Sequence, residues 1–510
     1  MTFLIPGGVM PKYKHFSYDQ GVMIAVNFNN QIVEGSIEYT INWLVNNKID
    51  LTVFDNRYRN DSTGAPAYHP GILLKIILLA YSRGMISSRE IARACRENIQ
   101  FMALSADTQP DFTTIAWFVR NMKDDIMSIF VNILLVCSEM DLLGGTEFAL
   151  DGCKMSSNAS KEWSGTFNDL ARKKDKIEKT VDMLMKKHRI KDIEEEEKKN
   201  KKNNDISRRL KKLKAKAEKI EHFLEENKPK VKSRSGEAQS NITDNESAKI
   251  KSSHGVIQGY NGLALVDSKH QVIVHAEAFG SGHEHELLVP MIEGAKKGAK
   301  SIGLGNDYYK GKRIIADTGS FKEENLEYLS TEKIDAYIPD QQYRKRDPRF
   351  ETMERHKNKS ERPFTKEDFT YDKVHDIFIC PAGKVLKLSV KQKLANTEGR
   401  RYISSRSNCN DCSMREKCLR SDRARYRTLY VVERYFNRNY SEEMKSKIDT
   451  AKGREIYSRR MGIVEPVFAN IRSSRELDHF TLRTKAKVNI QWVLFAMVHN
   501  ICKINRYAEI

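Results

Sequence analysis

The sequence predicts an α/β protein with a mixed sheet, preceded by an all-α module and interrupted by a helical hairpin insertion and a cysteine-containing insertion. Three observations support this class. Short apolar strands alternate with helices between residues 146 and 340, residues 40–140 show helical periodicity, and residues 168–232 are rich in Lys, Glu, Ala, Leu and Arg with apolar residues at helical spacing. The 510 residues exceed one ordinary core, so several domains or one domain with large insertions is expected.

Composition excludes several classes of protein. Eight cysteines are too few for a disulfide scaffold of this length. No apolar run approaches the roughly 20 residues that a membrane-spanning helix needs, and the N-terminus lacks the basic region and the cleavage pattern of a signal peptide. We therefore expect a cytoplasmic protein with no membrane partner.

The positive charge of the chain is concentrated in two blocks. Lys and Arg number 87 against 68 Asp and Glu, a formal net charge of +19. Residues 171–232 carry +10 and residues 381–510 carry +15, whereas residues 1–170 carry −4 and residues 233–380 carry −2. Two basic blocks on an otherwise slightly acidic chain predict a polyanionic partner, with DNA as the first candidate.

A helical N-terminal module is predicted over residues 1–140. A buried helix over residues 71–81 follows Pro70, and Ser87 with Glu90 three residues later forms a capping box for the next helix. Another helix follows Asp111. Two short helices around a turn are typical of a helix-turn-helix but also of many bundles. Two interpretations stay open: recognition of a DNA end, and a scaffold or dimer contact.

The first basic block belongs to a predicted insertion over residues 168–253. Two helices are expected to pack antiparallel around the charged run at residues 194–202, followed by a polar linker over residues 228–253. The hairpin is interpreted either as a solvated element or as an arm that contacts DNA or a second subunit.

The mixed sheet is predicted in two pieces, residues 141–167 and 254–340. Its elements follow in the order strand, two-stranded hairpin, helix, strand, helix, strand, at residues 146–152, 256–267, 271–278, 287–298, 313–316, 322–329 and 335–338. This order fits an RNase H-like sheet, in which the first and fourth strands are adjacent. Asp151 and Asp317 are expected at the ends of those two strands.

Two carboxylates on one sheet edge repel each other, and a hard divalent cation relieves that repulsion. Mg²⁺ prefers carboxylate oxygens, water and substrate phosphate. Two such ions about 4 Å apart activate the nucleophile and stabilise the leaving oxygen of a phosphodiester. A third acidic ligand is needed, and a helix crossing the sheet is the expected source.

Four stretches together resemble DDE-type insertion-sequence transposases: residues 150–160, 259–267, 316–326 and 457–472. The last stretch is similar to the family's Tyr-(2)-Arg-(3)-Glu-(6)-Lys signature. Tyr457 and Arg460 have its spacing, Glu465 follows Arg460 after four residues rather than three, and Arg472 replaces the lysine while keeping the charge. With the N-terminal module, the resemblance spans most of the chain.

The resemblance implies hydrolysis of a phosphodiester at each element end, followed by strand transfer into target DNA. It implies two Mg²⁺ ions, with Mn²⁺ able to substitute, held by Asp151, Asp317 and Glu465. The implied partners are double-stranded DNA, as terminal inverted repeats and as target, and a second copy of the chain; the protein would associate with the nucleoid when bound. Phosphate contacts are expected from Tyr457, Arg460, Arg472, Arg475 and Lys485.

Two other functions remain alternatives. One is a catalytically inactive, transposase-derived DNA-binding protein, and the other is an RNase H-like nuclease that never joins strands. The intact acidic trio of Asp151, Asp317 and Glu465 argues against the first. The predicted sixty-residue C-terminal piece, residues 451–510, carries the third acid together with a basic tail.

A cysteine cluster lies in the second predicted insertion, residues 341–450. Cys409 and Cys412 have the spacing of a chelating knuckle, and soft thiolates favour Zn²⁺. Structural zinc and unmetallated cysteines remain equal alternatives for Cys380, Cys409, Cys412 and Cys418. A second candidate, residues 283–286 with the sequence His-Glu-His-Glu, is not expected to bind metal because alternating residues do not share one helix face.

Overall fold

The computed structural model describes residues 26–57, 66–194, 201–231, 236–252, 255–282, 284–350, 352–353, 364–394, 397–419, 421, 423–436 and 439–508. The fold is α/β with mixed sheets and a helical N-terminal module, as predicted. In this part of the chain, no helix is long and apolar enough to cross a membrane.

Among the described residues, the N-terminal module contains six α-helices: α1 (Ile37–Asn47), α2 (Pro70–Ser82), α3 (Ser88–Glu97), α4 (Ile99–Leu104), α5 (Phe112–Arg120) and α6 (Ile126–Glu139). Helix α2 starts with Pro70, whose missing N–H is not needed in a first turn, and His69 caps it by accepting a hydrogen bond from the Gly71 N–H. Ser87 precedes α3 as predicted, but its side chain makes no capping hydrogen bond.

The first core strand and the basic insertion come next. They comprise β1 (Glu147–Ser156), β2 (Ser164–Gly165), α7 (Phe167–Glu194), α8 (Lys201–Glu226), β3 (Lys230–Val231), β4 (Glu237–Ala238), β5 (Ser240–Asn241) and β6 (Ala248–Ser252). Helices α7 and α8 pack against each other, and a small core of Leu170, Ile220, Phe223 and Ile242 fixes their base. Residues 228–253, which were expected to form a polar linker, contain the short strands β3 to β6.

The remaining core elements are β7 (Gly255–Asp267), β8 (Ile273–Phe279), α9 (Leu288–Ser301), β9 (Arg313–Ala316), α10 (Glu323–Thr331) and β10 (Asp335–Tyr337). The sheet runs β10–β9–β1–β7, and both β8 and β6 pair with β7. Strand β1 is antiparallel to β7 and parallel to β9, which is parallel to β10. This is the predicted mixed sheet, with the first and fourth core strands adjacent.

A second sheet lies in the cysteine-containing insertion. After α11 (Tyr343–Arg346) come β11 (Thr370–Asp372), β12 (Ile377–Ile379), β13 (Val385–Leu394), β14 (Thr397–Ser404), α12 (Arg406–Asn410), α13 (Arg415–Cys418) and β15 (Thr428–Val432). The five strands are antiparallel neighbours in chain order. They enclose a core of their own, formed by Phe369, Phe378, Leu386, Tyr402, Leu429 and Val431.

Three helices complete the chain: α14 (Tyr440–Ile448), α15 (Ala451–Ala469) and α16 (Lys485–Tyr507). Pro466 lies inside α15 rather than at a helix start. Because proline has no N–H, the Gly462 carbonyl loses its helical donor; Gln271 Nε2 donates to it instead, at 3.0 Å. Helix α16 is buried along β8 and also contacts α1, α2 and α6, so the module and the sheet share one hydrophobic core.

Candidate active site

Strand pairing brings Asp151 and Asp317 together. The parallel pairing of β1 with β9 ends at Leu150 opposite Ala316, and the two aspartates are the next residue on each side. The prediction that Asp151 ends its strand was wrong, because β1 continues to Ser156 through antiparallel pairing with β7. Asp151 therefore lies in mid-strand, beside the point where β9 stops.

Helix α15 crosses this edge of the sheet and contacts both β1 and β9. From it, Arg460 Nη1 donates to Asp151 Oδ2 at 2.7 Å. The Arg460 side chain is 12% exposed, and its buried Nε has no hydrogen-bond partner in the described part of the chain. Tyr457 lies one turn earlier, edge-on to Tyr343 with 5.3 Å between ring centroids, and burial raises its pKa.

The environment of Asp317 is electrostatically unfavourable for its charged form. Burial, together with the negative charges of Glu284 and Asp151, raises the pKa of Asp317 to about 6. The positive charge of Arg460 and the Gly319 N–H, which donates to Asp317 Oδ1 at 3.1 Å, act in the opposite direction. Such concentrated negative charge is the condition that a hard cation relieves.

Glu465 and Arg472 line an open cleft of about 480 Å³ that also reaches Asp151. Both side chains belong to exposed residues. Lys154, Lys251 and Glu284 line the same cleft. The cleft therefore contains carboxylate oxygens, which can bind a cation, and basic side chains, which can bind phosphate. Of the three predicted cation ligands, Asp151 and Glu465 line the cleft, and Asp317 lies beside Asp151 at the end of β9.

The carboxylates are not gathered around one point in this structure. Across the described ranges, no three His, Cys, Asp or Glu side chains are arranged to hold a metal ion. Protein cations pair with two of the acids instead: Arg460 with Asp151, and Lys154 with Glu284. A metal-bound arrangement would therefore require these ion pairs to rearrange.

Two of the predicted phosphate contacts are engaged elsewhere in the protein. Arg475 is buried; its Nη1 donates to the carbonyl and side-chain oxygens of Asn470, and its Nη2 donates to Cys502 Sγ at 3.0 Å. Lys485 begins α16, and its Nζ lies 2.8 Å from Glu277 Oε1. Of the five expected contacts, Arg472 is the one that lines the cleft as an exposed cation.

Glu284 is the residue at this site that sequence reasoning missed. It lies in a short 3₁₀ turn, Glu284–Glu286, and its Oε1 is 2.9 Å from Lys154 Nζ. The alternation argument against residues 283–286 assumed a regular helix, and α9 begins only at Leu288. His283 lies outside the described residues.

The four cysteines of the second insertion line one small cavity. Cys380 begins a turn in which the Lys384 N–H donates to its sulfur at 3.3 Å, and the nearby thiols contribute to the raised pKa of Cys418, which burial chiefly causes. Four convergent thiols fit the donor preference of Zn²⁺. Among the described residues, however, the sulfur atoms of these cysteines are not close enough together to hold a metal ion.

Comparison with known families adds independent information. A family described as Transposase DDE domain matches residues 379–505, a span that includes Tyr457, Arg460, Glu465, Arg472 and the four cysteines. A family described as Transposase domain (DUF772) matches residues 26–121, which contain α1 to α5. Asp151 and Asp317 lie between the two matches. No curated protein matches the chain.

The mixed sheet, the cleft at its edge and the helix that crosses it define an α/β protein. The two family matches go further, and they support a DDE-type insertion-sequence transposase. Proteins of this family act on DNA and generally use a divalent metal ion.

Proposed function

We propose that this transposase cleaves a phosphodiester at each end of its element and then joins the freed 3′ end to target DNA, in reactions that depend on Mg²⁺. The observation that carries the proposal is the cleft that joins Asp151 on β1, beside Asp317, to Glu465 and Arg472 of the C-terminal region. Acidic donors for a cation and exposed basic groups for a phosphate lie on its walls.

In the proposed hydrolysis, a water oxygen forms a bond to phosphorus and the P–O3′ bond breaks, leaving a 3′-hydroxyl and a 5′-phosphate. In the transfer, that 3′ oxygen attacks a target phosphorus and displaces the target's own 3′ oxygen. Two divalent ions, Mg²⁺ or Mn²⁺, would supply charge stabilisation to both steps. Asp151, Asp317 and Glu465 would hold them.

The chain's own cations bind and orient the DNA. Arg472 and Lys251 line the cleft wall, where they would donate hydrogen bonds to phosphate oxygens. Arg460 has a different role in this proposal: it neutralises Asp151 in the absence of metal and turns to a DNA phosphate when metal binds. A homodimer holding two terminal inverted repeats would bring two such clefts together.

The decisive experiment uses full-length protein, a DNA duplex that carries an element end, and Mg²⁺. Asp151→Asn and Glu465→Gln should each lower the cleavage rate at least about 100-fold, because an ion ligand is lost. Retained cleavage in Asp151→Asn would refute the assignment. Glu455→Gln is the matched control, since Glu455 is an exposed residue on the same helix that pairs with Arg459.

Two alternatives are distinguished by the same material. A nuclease that never joins strands would cut the end and give no product in a strand-transfer assay with target plasmid. A catalytically inactive DNA-binding protein would shift the end-containing duplex in a gel without Mg²⁺-dependent cutting. Terminal inverted repeats in the DNA that flanks the coding sequence would favour the transposition proposal over both.

For the cysteine cavity we propose structural Zn²⁺, held by Cys380, Cys409, Cys412 and Cys418 after the turns that carry them draw closer. The convergence of four thiols on one cavity supports this proposal. Purified protein should contain about one zinc per chain by elemental analysis, and Cys412→Ser should lose it. Cys502→Ser, outside the cavity, should retain it; zinc-free wild-type protein that is fully folded would refute the proposal.

A further inference from the structure

Glu284 approaches the acidic centre from a different side than α15 does. Side chains alternate between the two faces of a strand, so Lys154 projects to the face opposite that of Asp151. Lys154 is paired in register with Asn261 of β7, and both of these side chains contact Glu284: Lys154 Nζ at 2.9 Å and Asn261 Nδ2 at 3.5 Å from Oε1. Glu284 therefore comes from the face opposite Arg460.

Glu284 nevertheless reaches Asp317. The turn that carries Glu284 contacts the turn Thr318–Ser320, which follows Asp317 at the end of β9. A Cβ placed on Gly319 would collide with Glu284 Oε2 and would lie 3.2 Å from Asp317 Oδ1. The two carboxylates thus flank the same glycine, and the absence of a side chain at position 319 allows both to be there.

A buried amide beside this pair is incompletely satisfied. Asn261 is fully buried, and its Oδ1 has no hydrogen-bond donor among the described residues. That oxygen lies 2.9 Å from where a Cβ on Gly152 would be, on the face of β1 that also carries Lys154. Burying a carbonyl oxygen without a hydrogen-bond donor costs free energy. The unpaired Asn261 Oδ1 therefore points to a ligand or hydrated ion beside Glu284.

We propose that Glu284 is a fourth carboxylate of the metal centre, which binds a divalent cation together with Asp317, and that Lys154 neutralises Glu284 while the cation is absent. The inference rests on the proposed function in assuming that a cation binds at this sheet edge. It goes beyond the acidic trio in assigning an additional ligand, contributed from the opposite face of the sheet.

The experiment measures Mn²⁺ binding to full-length protein without DNA, by electron paramagnetic resonance and calorimetry. Glu284→Gln should weaken Mn²⁺ affinity at least about tenfold, the scale expected when a metal site loses a supporting group. Glu286→Gln, in the same turn and with a more exposed side chain, should leave the affinity unchanged. Lys154→Met should tighten binding, because it removes the competing ammonium.

The outcomes separate this inference from the proposed function. Unchanged Mn²⁺ affinity in Glu284→Gln, or wild-type protein that binds no Mn²⁺, overturns the inference. A purely structural role for Glu284 predicts a lower melting temperature with wild-type affinity, and this result also overturns it. If the wild type binds Mn²⁺ in a Glu284-dependent manner yet cleaves no end-containing DNA, the inference stands and the proposed function fails.

Discussion

At the level of single residues, the pairing of Asp151 with Arg460 and the burial of Asp317 determine how the negative charge of these two carboxylates is balanced. The Arg460 guanidinium satisfies one carboxylate at 2.7 Å, while Asp317 faces two further negative charges, those of Glu284 and Asp151. Like charges held close together in a partly buried site destabilise the fold unless one is protonated or a cation intervenes. The metal-free protein therefore carries a cost in stability at neutral pH.

This cost predicts a pH dependence. The pKa of Asp317 is about 6, above its ordinary value of 3.8, so between these pH values the native chain binds more protons than the unfolded chain. Stability therefore decreases as pH rises through this window. Urea unfolding in EDTA should show wild-type protein gaining stability relative to Asp317→Asn as pH is lowered from about 7 to about 5, by about 1 kcal/mol.

The Asn variant is the control for this prediction, because it keeps the shape of the side chain and cannot titrate. Its stability should exceed that of the wild type at neutral pH, and the difference should shrink towards pH 5. Parallel pH profiles for the two proteins would contradict the assigned environment of Asp317.

At the level of elements, α16 packs against the sheet on the face that carries Asp151. Trp492 is fully buried, and its Nε1 donates to the Leu263 carbonyl at 2.8 Å. The ring lies directly over Gly262, where a Cβ would approach it to 3.0 Å. This close contact positions β7, and through β7 the strand that carries Asp151.

Adding a single methyl group at the contact between Gly262 and Trp492 should lower the stability of the protein. Gly262→Ala should destabilise the protein by about 1 to 3 kcal/mol, because the Trp492 ring must shift within a packed core. Chemical denaturation measures the change in free energy of unfolding. Gly462→Ala is the control: it is a helical position with nothing within 4 Å of the added Cβ, where alanine should be neutral or stabilising by up to about 1 kcal/mol. Equal effects at both positions would refute the packing argument.

At the level of the whole molecule, the charge distribution separates a weakly acidic sheet and N-terminal module from two basic blocks. The arm formed by α7 and α8 lies within the block of net charge +10, and Glu465 and Arg472 lie within the block of +15. Such a distribution lets carboxylates gather cations while cationic elements contact the DNA backbone. The salt dependence of DNA affinity tests whether the arm contacts DNA.

If the arm contacts DNA, Lys211→Gln, Lys212→Gln and Lys214→Gln in one protein should flatten the plot of log K against log salt. Each lost phosphate contact changes the slope by about 0.9, so up to about 2.7 is expected. These lysines are exposed on α8. The control protein carries Lys297→Gln and Lys300→Gln on α9, which are also exposed. An unchanged slope in the arm variant would favour the solvated hairpin.

The order of the core strands and helices could be predicted from the sequence, because it depends on patterns within short segments. Apolar runs of strand length, helical periodicity, and the aspartates that follow Leu150 and Ala316 predicted the order of the core elements and the proximity of Asp151 and Asp317. The two helices of the arm were likewise predicted, since amphipathic spacing and charge runs are properties of short segments.

Other features depend on partners distant in sequence, and only the tertiary structure decided them. Strand β1 continues past Asp151 because β7 pairs with it, and α15 continues through Pro466 because Gln271 takes over the freed carbonyl. Arg475 is withdrawn from the surface by Asn470 and Cys502. The charge patterns and strand order were determined by the sequence itself, whereas which charges face one another was decided by contacts across the chain, because electrostatic and packing energies depend on distance in space.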